Sequence, residues 1–210
     1  MLNVNISSSV SVVILANSVK HSEHCVAGKD LSTKKWIRFV ADENGKELSN
    51  SQSKASNPYG IYPVKPLQKV EIGLDKHAPL INQPENYVID GSQWHQKYKV
   101  DESDLYNFLD HPDDLWGDGN KVRCTHIETG LKKIDQSLYL VDVDNLQLFK
   151  NSYGRRRASF EYCGISYDFP VTDRNFDQLS EEGSKLQGIL CLSLGEPFNG
   201  YCYKIVAGIY

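Results

Sequence analysis

The sequence predicts a mostly β protein of the β-rich α+β class, and three observations support this prediction. The chain of 210 residues contains 12 Tyr, 7 Phe and 3 Trp, and aromatic residues favour strands. Short apolar runs, bounded by Gly, Pro, Asn and Ser, recur along the chain, as is typical of strands separated by turns. Good helix signals are confined to two short segments.

The first half of the chain predicts several strands followed by one helix. The strands are predicted at 10–16, 24–28, 35–40, 67–74 and 87–89. The polar segment 41–60 predicts a long loop or insertion, because it is rich in Ser, Asn and Gln. Asp101 is the predicted cap of a helix that continues to Leu109, since acidic residues in a first turn suit the helix dipole. Pro112 excludes its continuation.

The second half repeats this order. Strands are predicted near 122–127, 137–143, 145–149, 156–163, 165–171, 185–194 and 201–210, with a turn at 195–200. Cys163-Gly164 is the predicted tip of a tight hairpin. Asp173 is the predicted N-cap of a second helix from Arg174 to Glu182, and Gly183 can end it. Strands followed by one short helix, twice, predict two small OB-like β-barrels in tandem, each five-stranded and partly open.

The predicted domains are 1–100, an N-terminal barrel with a long polar insertion, and 101–210, a C-terminal barrel with its helix. No apolar run approaches the ~20 residues of a membrane helix. The start of the chain lacks the basic n-region of a signal peptide, so a cytoplasmic protein is expected. The five cysteines are odd in number and form no C-x-x-C pair, which predicts small buried residues and no disulfide framework.

Catalytic and cofactor motifs are missing from the sequence, so we expect a binding module with no cofactor and no metal site. There is no GxxxxGK[ST], no GxGxxG after a strand, no HExxH and no GxSxG. His24 and Cys25 are adjacent, but neighbouring side chains on a strand point to opposite faces, so they do not form a catalytic pair. The acidic residues of 101–118 are explained by helix capping and solvation.

The charge distribution points towards nucleic acid more than the net charge of -4 does. Segments 17–40 and 120–160 together hold 13 Lys/Arg and 6 Asp/Glu, and the rest of the chain carries 10 and 21. Local fields of this kind steer partners more than the total charge does. If the two segments fold onto one face, they form a basic surface. If they scatter around the molecule, they do not.

Two clusters join cations to aromatic residues. Arg155, Arg156 and Arg157 follow Tyr153 and precede Tyr162, an arrangement suited to phosphate contacts and base stacking. Lys20, Trp36 and Arg38 accompany the first hairpin, where Trp36 and Arg38 share one face of a strand. The predicted nucleic-acid contacts are Lys20, Trp36, Arg38, Tyr153, Arg155, Arg156 and Tyr162. The alternative is that these side chains are structural, with Arg38 covering Trp36.

Three stretches resemble bacterial proteins described as dual OB-containing domains. They are Lys20 with Cys25-Val26-Ala27-Gly28 and Trp36-Ile37-Arg38, then Phe160 to Tyr167 with Val171-Thr172-Asp173, and finally Leu192 to Phe198 with Tyr203 to Gly208. The resemblance covers both ends of the chain and leaves out 41–120. It implies two fused OB-like barrels, a nucleic-acid-binding role and a context in bacterial conflict or anti-phage systems.

The sequence therefore favours a module that binds single-stranded or structured nucleic acid through backbone charge and base stacking. Two alternatives stay open. One is a protein–protein adaptor or sensor subunit that uses exposed Tyr and Trp as anchors. The other is a sensor of a nucleotide derivative, or an enzyme, with a pocket between the barrels.

Overall fold

The computed structural model describes residues 8–20, 23–181 and 185–210, which form two compact units. Unit 1 comprises the described residues up to Leu80 together with Pro84–Asp104. Unit 2 comprises Ile81–Gln83 and Leu105–Tyr210. The main chain leaves unit 1 for the last time after Asp104. The sequence predicts the boundary between residues 100 and 101. None of the helices in the described segments has the length and apolar character needed to cross a membrane.

Unit 1 is built on a closed five-stranded barrel. The eight strands of unit 1 are β1 (Ser8–Lys20), β2 (Glu23–Asp30), β3 (Trp36–Val40), β4 (Lys54–Asn57), β5 (Gly60–Pro63), β6 (Gln68–His77), β7 (Asn86–Ile89) and β8 (Trp94–Lys99). Five of them form the barrel. The order β1-β2-β3-β7-β6 closes because the long β1 pairs with both β2 and β6. β3 and β7 are parallel, whereas the other barrel pairs are antiparallel. This confirms the predicted OB-like barrel.

The barrel of unit 1 closes around apolar side chains that alternate along β1. Val12 and Ile14 point into the core with Phe39, Ile72 and Trp94. β1 changes its register with β2 between Ile14 and Ala16, a bulge of the kind that bends a strand around a barrel.

Gly28 lies opposite this bulge. A Cβ at Gly28 would lie 2.2 Å from the carbonyl oxygen of Val13, so only glycine allows the two strands to approach this closely.

The polar insertion is more ordered than the sequence predicted. Instead of a loop throughout 41–60, it contains β4 and the first residue of β5, which form a hairpin that pairs with β8. Polar side chains help to hold this pairing: the Ser56 hydroxyl lies 2.8 Å from Nδ1 of His95, and the Asn57 amide donates to Gln96. The sequence did not show it because the partner strand begins far along the chain.

Unit 2 repeats the strand order of the first barrel. Its strands are β9 (Lys121–Arg123), β10 (Leu138–Lys150), β11 (Arg156–Tyr162), β12 (Ile165–Pro170), β13 (Lys185–Phe198) and β14 (Tyr201–Ile209). They form one sheet in the order β12-β11-β10-β13-β14-β9. A parallel bridge between Val171 and Val206 brings the end of β12 to β14. The third and fifth strands are therefore parallel in both barrels, and the second barrel is less completely closed.

Aromatic residues fill the core of unit 2. Phe160, Tyr167 and Phe169 make mutual ring contacts with centroid distances of 5.3–5.7 Å. Phe176 joins them from the helix α2 (Phe176–Glu181), which lies between β12 and β13. The two strands predicted at 137–143 and 145–149 form the single strand β10, Leu138–Lys150. Its register with β11 shifts next to Asn145, which has a φ of 53°.

The helices differ in detail from the predictions. The segment predicted as a helix from Asp101 to Leu109 is a 3₁₀ helix, Glu102–Phe108, whose Leu105 and Phe108 are buried. A 3₁₀ helix places residues three apart on one side, which fits these two apolar positions. The predicted strand 122–127 ends at Arg123, and α1 (Cys124–Glu128) follows.

α2 begins at Phe176, two residues later than predicted. Asp173 accepts from the backbone N–H of Asn175 and from that of Ile209, so it joins the start of α2 to the last strand. Burial raises the pKa of Asp173, although these two N–H donors favour its charged form. Gly183 and the predicted last helical residue, Glu182, lie outside the described residues.

Two predicted turns have clear outcomes. Cys163 and Gly164 both have positive φ and form the tip of the β11–β12 hairpin, as the sequence predicted. The predicted turn at 195–200 is shorter, because β13 continues to Phe198. Only Asn199 and Gly200 form it, with φ values of 50° and 80°, as in the two-residue turns that suit the twist of a hairpin.

Candidate nucleic-acid interface

Two of the predicted contact residues, Trp36 and Arg38, are buried in unit 1. Their exposed fractions are 5% and 8%. Arg38 forms an ion pair with Glu85 at 3.7 Å, and both side chains are almost inaccessible. Lys29, opposite Trp36 across the β2–β3 ladder, places its ammonium 5.3 Å from the Trp36 ring centroid. The prediction of an open face here was wrong, because the outward side of β3 is covered and its charge is neutralised internally.

Lys20 ends β1, where it pairs with Glu23. Its side chain lies outside the part of the chain that the structure describes. The two basic segments, 17–40 and 120–160, belong to different units.

Two of the three consecutive arginines have carboxylate partners. Arg156 forms an ion pair with Asp177 of α2 and also donates to the backbone carbonyl of Asp173. Arg157 donates to the carboxylate and to the carbonyl of Asp168 on β12, both at 2.7 Å. Hydrogen bonding by Lys150, together with the Arg156 charge, lowers the pKa of Asp177. Arg156 thus links β11 to α2, and its side chain is partly exposed and partly engaged in this ion pair.

Tyr153 and Arg155 are exposed on the turn between β10 and β11. Tyr153 is 84% exposed, and both backbone N–H groups bond to the side-chain oxygen of Asn151. In OB-folds the loop between the first two strands is one of the loops that contact oligonucleotides, and this turn has that position. Tyr162 is half-buried. Its hydroxyl donates to the Pro112 carbonyl at 2.8 Å, and burial raises its pKa.

A different surface of unit 2 presents aromatic rings and cations together. On β14, Tyr201 lies opposite Arg123 of β9, and Tyr203 lies opposite Lys121. Between them, Cys202 and Val122 point inward and are buried. Because side chains alternate along a strand, the two tyrosines and the two cations share the outer face. Phe198, opposite Tyr201 on β13, extends this row and is 65% exposed. These five residues are called the platform below.

Ring and charge contacts hold the platform together. The ammonium of Lys121 lies 3.8 Å from the Tyr201 ring centroid and 5.9 Å from that of Tyr203. The Arg123 guanidinium lies 5.7 Å from the Tyr201 centroid. Phe198 and Tyr201 each lie 6.4 Å from Tyr203, centroid to centroid. Three rings in a row beside two cations suit bases and phosphates that follow one another along a strand.

Part of this platform is visible in the sequence. Lys121 and Arg123 lie inside the basic segment 120–160, and Tyr201 and Tyr203 alternate at the start of a predicted strand. The pairing of β9 with β14 cannot be predicted from local sequence patterns, because the two strands are far apart along the chain. The sequence predicts a turn at 195–200, which contains Phe198, and a turn residue is not expected to extend a row of side chains on a strand.

The metal-binding potential and the cysteines of the described residues complete the inventory of reactive side chains. No group of three His, Cys, Asp or Glu side chains is close enough to hold a metal ion in the described part of the chain. None of the five cysteines forms a disulfide bond. Cys124, Cys191 and Cys202 are buried as predicted, whereas Cys163 is exposed at its hairpin tip. Burial, and then the neighbouring Cys124 thiol, raise the pKa of Cys202 to about 12.

One comparison with known proteins, the family model, agrees with the architecture. The model of the dual OB-containing domain family matches residues 10–209, nearly the whole chain. Among curated proteins, none matches. A solved structure entitled "Crystal structure of the tetrameric p202 HIN2" is similar at 9% sequence identity and a TM-score of 0.31, over 97% of this chain and 92% of that chain. At these values the likeness carries no functional information.

Proposed function

The chain belongs to the dual OB-containing domain family, and we propose that it binds single-stranded nucleic acid on the platform of unit 2. The observation that carries this proposal is the row of Phe198, Tyr201 and Tyr203 beside Lys121 and Arg123. Base stacking on aromatic side chains is tolerant of sequence, because every base has a flat face. We therefore expect weak sequence preference.

The contact between Lys121 and Tyr201 must open when a base stacks on that side of the ring. A cation–π contact at an exposed site is worth about 0.5–1 kcal/mol. A stacked base is worth about 1–3 kcal/mol, and the released ammonium can bind a phosphate of the same strand. The exchange is therefore favourable, and the flexible stem of Lys121 allows it.

We extend the proposal to the predicted contacts that are accessible. Tyr153 and Arg155 are exposed on the β10–β11 turn, which supports a second contact of the same kind in unit 2. Arg156, the first residue of β11, follows this turn and is held by its contact with Asp177. Tyr162 lies at the other end of β11, where its hydroxyl bonds to Pro112, and it is not part of this second contact. Trp36 and Arg38 have no part in the proposed surface because they are buried.

The test is a fluorescence anisotropy titration of the full chain with labelled single-stranded DNA and RNA of about 16 nucleotides, the upper site size of one OB-fold. Removing one stacking ring, Tyr201→Ala, should weaken binding by about 5- to 150-fold, from about 1–3 kcal/mol. Tyr201→Phe keeps the ring and should bind like the wild type.

Tyr106→Ala is a matched control for this experiment. Tyr106 is an exposed tyrosine of unit 2 on the acidic 3₁₀ helix, so its loss should leave the affinity unchanged. Thermal unfolding of each variant checks that the fold is intact. The absence of binding to any DNA or RNA at low salt would reject the proposed function.

A protein-binding role is the alternative that such a result would favour. Tyr59, Ile61 and Tyr62 are exposed on or beside β5, the last strand of the unit 1 sheet, and exposed tyrosines are frequent anchors in protein interfaces. Triple replacement of these residues by Ser should leave oligonucleotide binding unchanged if nucleic acid is the ligand of the platform.

The family resemblance supports a wider proposal, that the protein acts in the cytoplasm as part of a bacterial conflict or anti-phage system. The measurement is plaque formation on cells that express the wild type or Tyr201→Ala together with the neighbouring genes of its host. Equal plaque numbers with and without the wild-type protein would reject this role.

A further inference from the structure

A cavity of about 540 Å³ opens beside the platform in unit 2. One wall carries Tyr201 and the two cations Lys121 and Arg123, and the other is the loop 116–120. His126 and Lys132 complete the polar lining. The cavity is large enough for a phosphate group and part of a nucleotide, since small-molecule sites begin at about 300 Å³.

A buried lysine fixes the shape of this loop. Lys204 on β14 is fully inaccessible, and its ammonium donates to the carbonyl oxygens of three successive residues, Gly117, Asp118 and Gly119. The distances to the Asp118 and Gly119 oxygens are 3.1 and 2.9 Å. Gly117 and Gly119 have φ values of 86° and 66°, a conformation that favours glycine.

The direction of the three carbonyls decides what the loop presents to the cavity. Within one trans peptide the C=O and the following N–H point in opposite directions. Carbonyls turned inward to Lys204 therefore turn the N–H groups of Asp118, Gly119 and Asn120 outward, on the side of the loop that lines the cavity. Within residues 8–20, 23–181 and 185–210, these three N–H groups have no hydrogen-bond partner. Outward backbone N–H groups in such turns are suited to anions.

The charged side chains around the cavity also favour an anion. Lys121, Arg123 and Lys132 bring three cations to it, and among its described lining residues Asp118 is the one carboxylate. Asp114 lies 3.5 Å from the Lys132 ammonium and also accepts from the Gly117 N–H. The cavity thus joins a surplus of positive charge to unpaired N–H donors.

We propose that this cavity binds a phosphomonoester, either the terminal phosphate of a nucleic-acid strand or the phosphate of a free nucleotide. The inference rests on the proposed function in one respect: Tyr201 belongs to both the cavity wall and the platform, so a base stacked there has its phosphate within reach of Lys132 and the loop. Charge-assisted hydrogen bonds to the phosphate then add to stacking.

The test compares one oligonucleotide with a 5′-phosphate, a 3′-phosphate or hydroxyl groups at both ends, by anisotropy with an internal label. One phosphorylated form should bind about 10- to 100-fold tighter than the hydroxyl form, the contribution of hydrogen bonds to a charged group. Competition by a nucleoside monophosphate, compared with its nucleoside, separates the two phosphate sources. A monophosphate that competes indicates a free nucleotide as ligand, and competition by neither indicates a strand end.

Two substitutions at Gly119 isolate the loop from the platform. A Cβ at Gly119 meets no atom within 4 Å, so only the backbone conformation is affected. Gly119→Val disfavours the positive φ and should remove the preference for phosphate, whereas Gly119→Asn tolerates it and should keep the preference. Lys132→Gln, which leaves the loop intact, should reduce the preference as well.

The outcomes distinguish this inference from the proposed function. If all three oligonucleotides bind equally well and the monophosphate does not compete, the phosphate site is refuted while the platform stands. If the preference exists but survives both Gly119→Val and Lys132→Gln, the phosphate lies elsewhere and the inference is also refuted. If no oligonucleotide binds but a nucleoside monophosphate raises the melting temperature of the protein more than its nucleoside does, the proposed function fails and the phosphate site remains.

Discussion

The salt dependence of oligonucleotide binding separates the cations of the platform from its rings. Each phosphate neutralised on a single strand contributes about -0.7 to the slope of log Kobs against log[salt], because it releases condensed counterions. Lys121 and Arg123 are the two platform cations, each opposite a tyrosine across the β9–β14 ladder. Replacing both by Gln should make the slope less steep by about 1.4.

The rings should behave differently in the same assay. Tyr203→Ala removes a stacking surface without removing charge, so the affinity should fall by a similar factor at every salt concentration. Its slope should equal that of the wild type. The assay is a series of anisotropy titrations between low and physiological salt, with circular dichroism to verify folding.

Lys133→Gln is the matched charge control. Lys133 is an exposed lysine of unit 2 that pairs with Asp135 and does not line the cavity, so its replacement should leave the slope nearly unchanged. An unchanged slope in the Lys121→Gln, Arg123→Gln double variant would show that neither cation contacts phosphate. A slope altered by Tyr203→Ala would show that the rings act through charge placement and not through stacking.

Three further predictions concern stability and reactivity. Glu85→Gln leaves Arg38 without its carboxylate partner inside unit 1 and should lower the free energy of unfolding in urea by about 3–5 kcal/mol; a change under about 1 kcal/mol would mean that Arg38 reaches water. Burial lowers the pKa of Lys204 from its ordinary value of 10.5 to about 8. Between these two pH values the Lys204 amine is protonated in the unfolded chain and neutral in the folded chain. The free energy of unfolding should therefore rise with pH, by up to about 1.4 kcal/mol per pH unit. Lys204→Met should abolish this component of the urea-unfolding profile, and identical profiles for variant and wild type would contradict it. In native protein a maleimide should modify the exposed Cys163 before the buried Cys202, whose pKa of about 12 keeps it protonated; peptide mass spectrometry with Cys202 labelled first would refute the burial pattern.

Much of the architecture could be predicted because strands and tight turns leave local signals. The apolar, β-branched run at 10–16 located β1, and the adjacent Cys163 and Gly164 marked a hairpin tip whose two residues need positive φ. The errors arose where a local pattern fits two structures. Residues 124–127 contain Thr and Ile, which favour strands, yet Cys124 and Ile127 are spaced so that one turn of helix buries both.

The candidate site was harder to predict, because accessibility and pairing are not local properties. Arg38 was expected at a ligand face since it shares a side of its strand with Trp36, but a buried carboxylate, Glu85, comes from a part of the chain more than 40 residues away. Conversely, Lys121 and Tyr203 have no local relation and meet only through the β9–β14 ladder.

The amino-acid sequence by itself determined most of the apolar strands and the duplication into two OB-like barrels, because these depend on residue spacing of two and on turn chemistry. It did not show the strands β4 and β5 of the polar insertion. The tertiary structure alone decided which cations face solvent and which rings lie beside them. The physical reason is that the register between distant strands is set by packing of the whole barrel. A shift of one residue would move Tyr201, Tyr203, Lys121 and Arg123 from the outer face to the core.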